Sequence, residues 1–384
     1  MKASLSQEEI LRYSRHLVIP EVGLEGQKKI KSASVLVVGA GGLGSPILLY
    51  LAAAGVGKLG VVDYDLVEES NLQRQILYST ESLLVSKAKS AQARLKGLNP
   101  YCQVNGFNEV FCSENAEKIA TGYDILVDGT DNFPTRYLLN DLAVLTHRPY
   151  VYGSVFRFEG QVSVFDAQKS GCYRCMFPQP PKPGTVPGCA DGGVFGVMPG
   201  IIGLIQATEV LKLILGIGDS LVGKLMLVDA LSMEFQLVNL AKNDDCPVCG
   251  MHPTIKKLID YEQFCGVPAV QGHPNLVAVE HEISPTVLHH KMEKGEKIHL
   301  VDVRTPIELQ VCSIPGSEFI PLENLAVKMK DWNKDEMLVF YCRVGNRSAK
   351  AVEQAIQAGF KKVFNLTGGI HAWGIEVDEK MNRY

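Results

Sequence analysis

The chain has 384 residues, 46% of them hydrophobic and 21% charged, with mean hydropathy near zero, the balance of a globular protein long enough for two domains. A net charge of −4 gives no electrostatic ground for nucleic-acid binding. The opening MKASLSQEEILRYSRHL is polar and carries both charge signs, so it does not read as a secretory signal, and the expected location is the cytoplasm.

Val35 to Gly57 holds no charged residue and is long enough to cross a bilayer, but it contains six glycines and a proline. A β-branched run, a glycine turn and an Ala/Leu-rich run predict a buried strand, turn and helix instead. Ile201 to Leu215 is also apolar but is interrupted by Gln206, Glu209 and Lys212.

From Ser34 to about Tyr152, strand and helix patterns alternate: SVLVVG, PILLYLAAAG, KLGVVD, SKAKSAQARLKGL, QVNGF, YDILVDGT, TRYLLNDLAVLTH and PYVYGSV. The alternation predicts right-handed crossovers and a mostly parallel sheet of Rossmann-like α/β class. EGQVSVF and GKLMLVDA extend that sheet, and the Pro- and Gly-rich stretch Met176–Gly193 between them is a crossing segment. Near residue 270 the periodicity lapses. We expect a first domain over 1–250 with a structural metal site, a linker over 251–280, and a smaller α/β domain over 281–384.

Gly39-Ala40-Gly41-Gly42-Leu43-Gly44 lies between the first strand and helix, where backbone amides and a helix N-terminus suit an adenine nucleotide. Asp63 lies about twenty residues further on, the place of a ribose acid. DYDLVEESNLQRQ then adds Asn71, Arg74 and Gln75, and Lys87 follows in a helical stretch. Cations there suit a triphosphate whose leaving pyrophosphate gathers charge, and Asp131 in DGTDN suits Mg²⁺. A hydride-transfer enzyme has no need of that set.

RYSRHL, GAGGLGSP, DYDLVEESNLQRQ, LVDGTDN and two CxxC pairs resemble the E1-type, ThiF-like adenylyltransferases that activate ubiquitin-like sulfur carriers, over residues 5 to 250. The resemblance implies a homodimer that uses ATP and Mg²⁺ to adenylate a C-terminal Gly-Gly carboxylate. By position it implies nucleotide or metal contacts from Gly42, Asp63, Ser70, Asn71, Gln73, Arg74, Lys87, Asp131 and Asn132. It also implies that Arg15 reaches the partner subunit's site. An acyl-adenylate forms by positioning and charge stabilisation, without a side-chain nucleophile.

Cys172 and Cys175 in CYRC, with Cys246 and Cys249 in CPVC, suit tetrahedral Zn²⁺ in a closed structural site, with a redox dithiol as the alternative for either pair alone. Cys102, Cys112, Cys265 and Cys312 lie in no recognisable setting and read as buried or incidental. Cys342, in VFYCRVGNRSAKAVEQAI, ends an apolar strand before a short loop and a helix starting at about Ser348. Loop amides and the helix N-terminus favour its thiolate, and Arg343 and Arg347 add positive charge. Cys342 to Arg347 is one residue shorter than the phosphatase Cys-x₅-Arg loop, so the cradle is smaller than phosphate requires.

With VDVRTPIE, IPGS and LTGGIHAWG, residues 280 to 384 resemble a single-domain rhodanese, which implies a persulfide on Cys342; Asp302 and Arg304 read as structural. Cys189 lies in the crossing segment, where an exposed thiol suits a visit to a bound acyl-adenylate. The E1 resemblance implies a carrier thioester or acyl-persulfide cleavage there. Together the halves predict an adenylyltransferase–sulfurtransferase, loaded by an upstream sulfur donor such as a cysteine desulfurase. An NAD-dependent oxidoreductase, a non-enzymatic persulfide-binding scaffold and a phosphatase are the competing readings.

Overall fold

The structure is a computed structural model and describes residues 4–182, 192–266 and 281–382. The chain divides into two compact units, Met1–Ala269 and Val270–Tyr384.

The first unit holds one sheet: β1 (Ser34–Val38), β2 (Lys58–Val62), β3 (Gln103–Phe107), β4 (Ile125–Asp128), β5 (Tyr150–Phe156), β6 (Glu159–Phe165), β7 (Lys224–Asp229) and β8 (Glu234–Asn239). Its spatial order is β3-β2-β1-β4-β5-β6-β7-β8. The strands from β3 to β5 are parallel, and β5 to β8 pair antiparallel. The change falls where Arg157 and Phe158 alone join β5 to β6, a hairpin too short for a crossover. Arg157 takes the positive φ (52°) that such a tight turn uses.

Alternation along β1 builds two core layers. Val35 and Val37 pack with Ile47, Leu48 and Leu51 of helix Gly44–Ala54 and Ile202 and Val210 of helix Met198–Leu215. Leu36 and Val38 face Tyr137, Leu138 and Leu142 of helix Phe133–Leu145. Val35 to Gly57 is therefore the buried strand, turn and helix expected. Among the described residues one helix, Met198–Leu215, is long and apolar enough to span a bilayer, and half of it is buried. EGQVSVF and GKLMLVDA are β6 and β7. The edge strand β8 was not foreseen; all its residues are exposed, so no buried face marks it.

Gly55 ends helix Gly44–Ala54 at φ 90°. A Cβ there would lie 2.5 Å from the Tyr13 ring, so glycine serves both the turn and the packing of the N-terminal segment. Asn99 Nδ2 donates to the Tyr13 hydroxyl at 2.8 Å and to the Ala52 carbonyl at 2.6 Å, locking that corner.

Within the stretch expected as linker, helix Tyr261–Cys265 packs on helix Phe133–Leu145, and its Tyr261 hydroxyl donates to Asp141 at 2.8 Å. Both Asp141 oxygens also accept from one side of the buried Arg174 guanidinium, Nε at 2.7 Å and Nη2 at 2.8 Å. The rings of Tyr137 and Phe264 lie 4.8 and 4.4 Å from that cation, an arrangement that compensates its burial. Residues 267–280 lie outside those described.

The second unit has an all-parallel sheet of β9 (Glu282–Ile283), β10 (Ile298–Asp302), β11 (Glu318–Phe319), β12 (Met337–Tyr341) and β13 (Lys362–Leu366), ordered β11-β10-β12-β13-β9. Leu338 and Phe340 pack with Val352 and Ala355 of helix Asn346–Gln357. Val339 and Tyr341 pack on the other face with Ile370 and Trp373 of helix Gly369–Glu376.

Candidate functional site

β1 and β4 are neighbours, yet the chain leaves them toward opposite sheet edges, which opens a crevice at their C-terminal ends. Gly39 (φ 92°) follows β1 and Gly129 follows β4. A Cβ on either would overlap the other's carbonyl, so only this pair lets the strand ends touch. Asp63, after β2, accepts from the Ala40 amide at 2.8 Å and the Asp65 amide at 2.9 Å, so it orders the glycine turn. Burial raises its carboxyl above the usual range, while Lys87 draws it down. Each oxygen keeps a lone pair for a ribose hydroxyl.

Lys87 opens helix Lys87–Leu98 and pairs with Asp65 at 2.8 Å. The Arg74 guanidinium donates to the Ser70 carbonyl at 3.0 Å, and a Cβ on Gly42 would lie 3.6 Å from the Arg74 stem. Asn71 is buried and caps its own turn through the Glu68 amide, while Gln73 is exposed and lies against Gly196. The Gln75 side chain is buried beside Gly41, and its carbonyl oxygen has no partner among the described residues. That orphaned acceptor next to a glycine turn fits a hydroxyl or amino donor of a nucleotide.

The DGTDN loop hangs from Asp128, which is fully buried. Its carboxylate accepts from the Thr130 amide (2.9 Å) and hydroxyl (2.6 Å), Arg136 Nε (3.2 Å) and the Tyr150 hydroxyl (2.8 Å). Gln206 Nε2 donates to the Asp128 carbonyl at 2.8 Å. Asp131 is exposed, which suits a cation that keeps water. Asn132 caps helix Phe133–Leu145, its oxygen accepting from Thr135 N at 2.9 Å, so only its amide nitrogen remains to donate elsewhere. Sequence reasoning missed Asp65, Tyr78, Asp128, Arg136, Tyr150 and Gln206, whose partners lie up to 78 positions away.

Arg15 is not brought to this crevice. It is exposed on helix Ser14–Leu17, beside the Tyr13 that packs at Gly55. The 11 residues of helix Gly44–Ala54 put about 16 Å between that end and the glycine turn. Cys189 lies outside the described residues.

The sulfurs of Cys172, Cys175, Cys246 and Cys249 lie within 4.8 Å of one another. Two of the separations are 3.6 Å (Cys172–Cys246) and 3.4 Å (Cys175–Cys249). A tetrahedron with bonds of about 2.3 Å needs sulfurs about 3.8 Å apart, so the cluster fits Zn²⁺. The Asn243 amide donates to Cys175 Sγ at 3.4 Å, and Val144, Ala167, Val248 and Ile255 form an apolar wall. Hydrogen bonds from the other three sulfurs hold the Cys175 thiol far below its ordinary range, while Cys172 is held far above it. Of the remaining cysteines, Cys102 and Cys265 are buried, and Cys112 and Cys312 are half-buried.

In the second unit Cys342 follows β12 and is 1% exposed. The Gly345 amide donates to its sulfur at 3.2 Å and the Ser348 hydroxyl at 3.4 Å. Gly345 takes φ 104°, which turns the amide inward, and helix Asn346–Gln357 starts directly after it. The amides of Ile370 and His371 hold the Cys342 and Arg343 carbonyls at 2.9 and 3.0 Å. A Cβ on Gly369 would strike those same carbonyls. Loop carbonyls are thus fixed by a neighbouring helix start and the Gly345 amide is left for the sulfur.

Arg347 does not add free charge to this cradle, contrary to the reading of the loop alone. Its two terminal nitrogens donate to both oxygens of Glu308, at 2.7 and 2.6 Å. Asp302 and Arg304 are buried and paired at 2.6 Å, and Arg304 reaches the Cys312 carbonyl at 2.6 Å. They brace helix Pro306–Val311, which carries Glu308.

A nucleotide crevice at a parallel-sheet switch point, a four-cysteine cluster and a strand–loop–helix thiol cradle define a two-part enzyme of the adenylating and sulfur-transferring class. The chain belongs to the ThiF family, whose model matches residues 13–248, and carries a rhodanese-like domain matched over residues 284–376. The protein named Probable adenylyltransferase/sulfurtransferase MoeZ, from Mycobacterium tuberculosis, is 44% identical, covering 100% of this chain and 97% of that one. Adenylyltransferase and sulfurtransferase MOCS3 of Mus musculus is 42% identical, covering 100% and 89%. Sulfur carrier protein adenylyltransferase of Thermus thermophilus is 52% identical over 68% of this chain and 98% of its own. Among solved structures, E. coli MccB with ATP shares the fold at TM-score 0.53 and 23% identity, covering 65% of this chain and 75% of that one.

Proposed function

We propose that the enzyme adenylates the C-terminal Gly-Gly carboxylate of a ubiquitin-like sulfur-carrier protein and then converts it to a thiocarboxylate. The observation that carries this reading is the Cys342 sulfur held by an amide and a hydroxyl in the same chain as the Gly39–Gly129 crevice. A carboxylate oxygen attacks the ATP α-phosphorus and pyrophosphate leaves, giving the acyl-adenylate. The terminal sulfur of a Cys342 persulfide attacks the acyl carbon and expels AMP. Two-electron reduction of the resulting acyl disulfide by thiols, a step in which we place Cys189, releases the thiocarboxylate.

In this reading Gly42, Asp63 and Asn71 shape the nucleotide pocket, with Ser70, Gln73 and Asn132 at its rim. Arg74 and Lys87 meet growing phosphate charge, and Arg15 serves the partner's crevice in a homodimer. Mg²⁺ held by Asp131 supplies charge neutralisation on the phosphates. Zn²⁺ at the four cysteines has a structural role. A cysteine desulfurase supplies the sulfur.

Incubation with a purified Gly-Gly carrier tests the reading. Carrier-dependent exchange of pyrophosphate into ATP and a 16 Da mass gain on the carrier, oxygen replaced by sulfur, are the outcomes expected of the chemistry. Exchange that ignores the carrier, or stabilisation by NAD in place of ATP, would overturn it.

A further inference from the structure

Glu308 and Arg347 are 39 positions apart and meet through two parallel hydrogen bonds, the strongest geometry available to such a pair. Each side chain is 16% exposed, so the pair is largely shielded from water yet lies at the edge of the Cys342 loop. Glu308 has little freedom to leave. Its carboxylate also accepts from the Thr305 amide (3.0 Å) and hydroxyl (2.8 Å) in a capping box. Helix Pro306–Val311 is braced in turn by the buried Asp302–Arg304 pair, since Arg304 donates to the Glu308 carbonyl at 3.4 Å.

Among the described residues, the Gly345 amide and the Ser348 hydroxyl reach the Cys342 sulfur, and both are neutral. Because Cys342 is buried, only the end of a donor reaches it, and the donor's trailing group stays at the loop's edge. We propose that Glu308 determines the donor class for sulfur loading. By occupying Arg347 it withholds a cation from the thiosulfate dianion and favours a persulfide, R–S–SH. The inference rests on the sulfurtransferase reading of Cys342.

The favoured step is an exchange between thiols. The Cys342 thiolate attacks the outer sulfur of R–S–SH, the donor's S–S bond breaks, and R–S⁻ leaves with the bond's electron pair. Cys342–S–SH is formed with no net oxidation. The disfavoured step would expel sulfite from thiosulfate, whose negative charge needs a cation at the trailing group.

The test uses the reduced full-length protein and two donors, glutathione persulfide and thiosulfate. Cys342 persulfide is counted by mass spectrometry and kcat/KM is measured for each donor. Glu308→Gln, which keeps the shape but removes the charge that neutralises Arg347, is expected to move the persulfide-to-thiosulfate ratio toward thiosulfate by about tenfold, with added salt reducing the gain. The thiosulfate KM should carry the change, and Glu308→Gln with Arg347→Gln should reverse it. Thr305→Val, which removes one donor to Glu308 but leaves its charge, should shift the ratio the same way by a smaller factor, so the test survives if Glu308→Gln misfolds. A ratio within about twofold of wild type in Glu308→Gln overturns the proposal, as does a shift that persists in the double variant. Loading from neither donor in the wild type would instead remove the sulfurtransferase reading itself.

Discussion

The Tyr78 hydroxyl donates to the Ala40 carbonyl at 2.8 Å, so a buried ring 38 positions downstream fixes the glycine turn from beneath. Tyr78→Phe leaves that carbonyl unpartnered at a cost of about 1 kcal/mol. ATP affinity, measured by titration calorimetry, should weaken about fivefold, while Cys342 loading stays at its wild-type rate. Unaltered ATP binding would show that the turn holds without this prop.

Asp128 is the buried point on which the DGTDN loop hangs. Asp128→Ala strips the neighbouring Arg136 of its carboxylate and should cost about 3–5 kcal/mol. Urea denaturation followed by a probe in the first unit checks this. A loss below about 1 kcal/mol would mean that water or Tyr152, whose ring lies 5.1 Å from the Arg136 cation, compensates.

Metal analysis of purified protein should find about one zinc per chain. Cys175→Ser should abolish it and lower the melting temperature of the first unit. Stripping zinc with a chelator should do the same, and re-addition should restore both. Full stability in metal-free protein would make the cluster dispensable.

Cys342→Ala should separate the two half-reactions. Carrier-dependent pyrophosphate exchange should continue, because no atom of Cys342 enters that step, while thiocarboxylate yield should fall by at least about a hundredfold. Loss of both activities together would tie the thiol to adenylation.

Burial works against the Glu308 charge, but hydrogen bonds from Arg347 and Thr305 overcome it and bring the carboxyl to about 2, from an ordinary 4.5. The folded value lies below the unfolded one, so this stabilisation is present above about pH 4.5 and is lost as pH falls toward 2. Wild type and Glu308→Gln should therefore differ in second-unit stability at pH 7 and converge near pH 2. A constant gap across that range would assign the difference to packing.

Much of the first unit was legible because β1, β2 and β4 are short apolar runs bounded by glycine or aspartate, and Gly39–Gly44 and Asp63 sit at fixed offsets from them. β8 escaped because exposure on every residue erases the pattern that marks a half-buried strand. Lys87 and Arg74 were legible as cations, but Asp65, which holds Lys87, was not, since nothing local pairs residues 22 positions apart. Arg347 shows the same limit in the second unit. A charge read within CRVGNRS is cancelled by a glutamate from another helix, and only folding brings the two together.

The two halves of the cysteine cluster are separated by 74 positions, so its assembly must wait until the ribosome has added Cys249. Helix Met198–Leu215 and strands β7 and β8 all lie inside the ring that a bound ion would close. Such a ring restricts the unfolded chain far more than a finger-sized loop does. Newly made protein in a zinc-starved cell would keep that span open to proteases, and metal supply would govern how many copies survive more than how fast each one works.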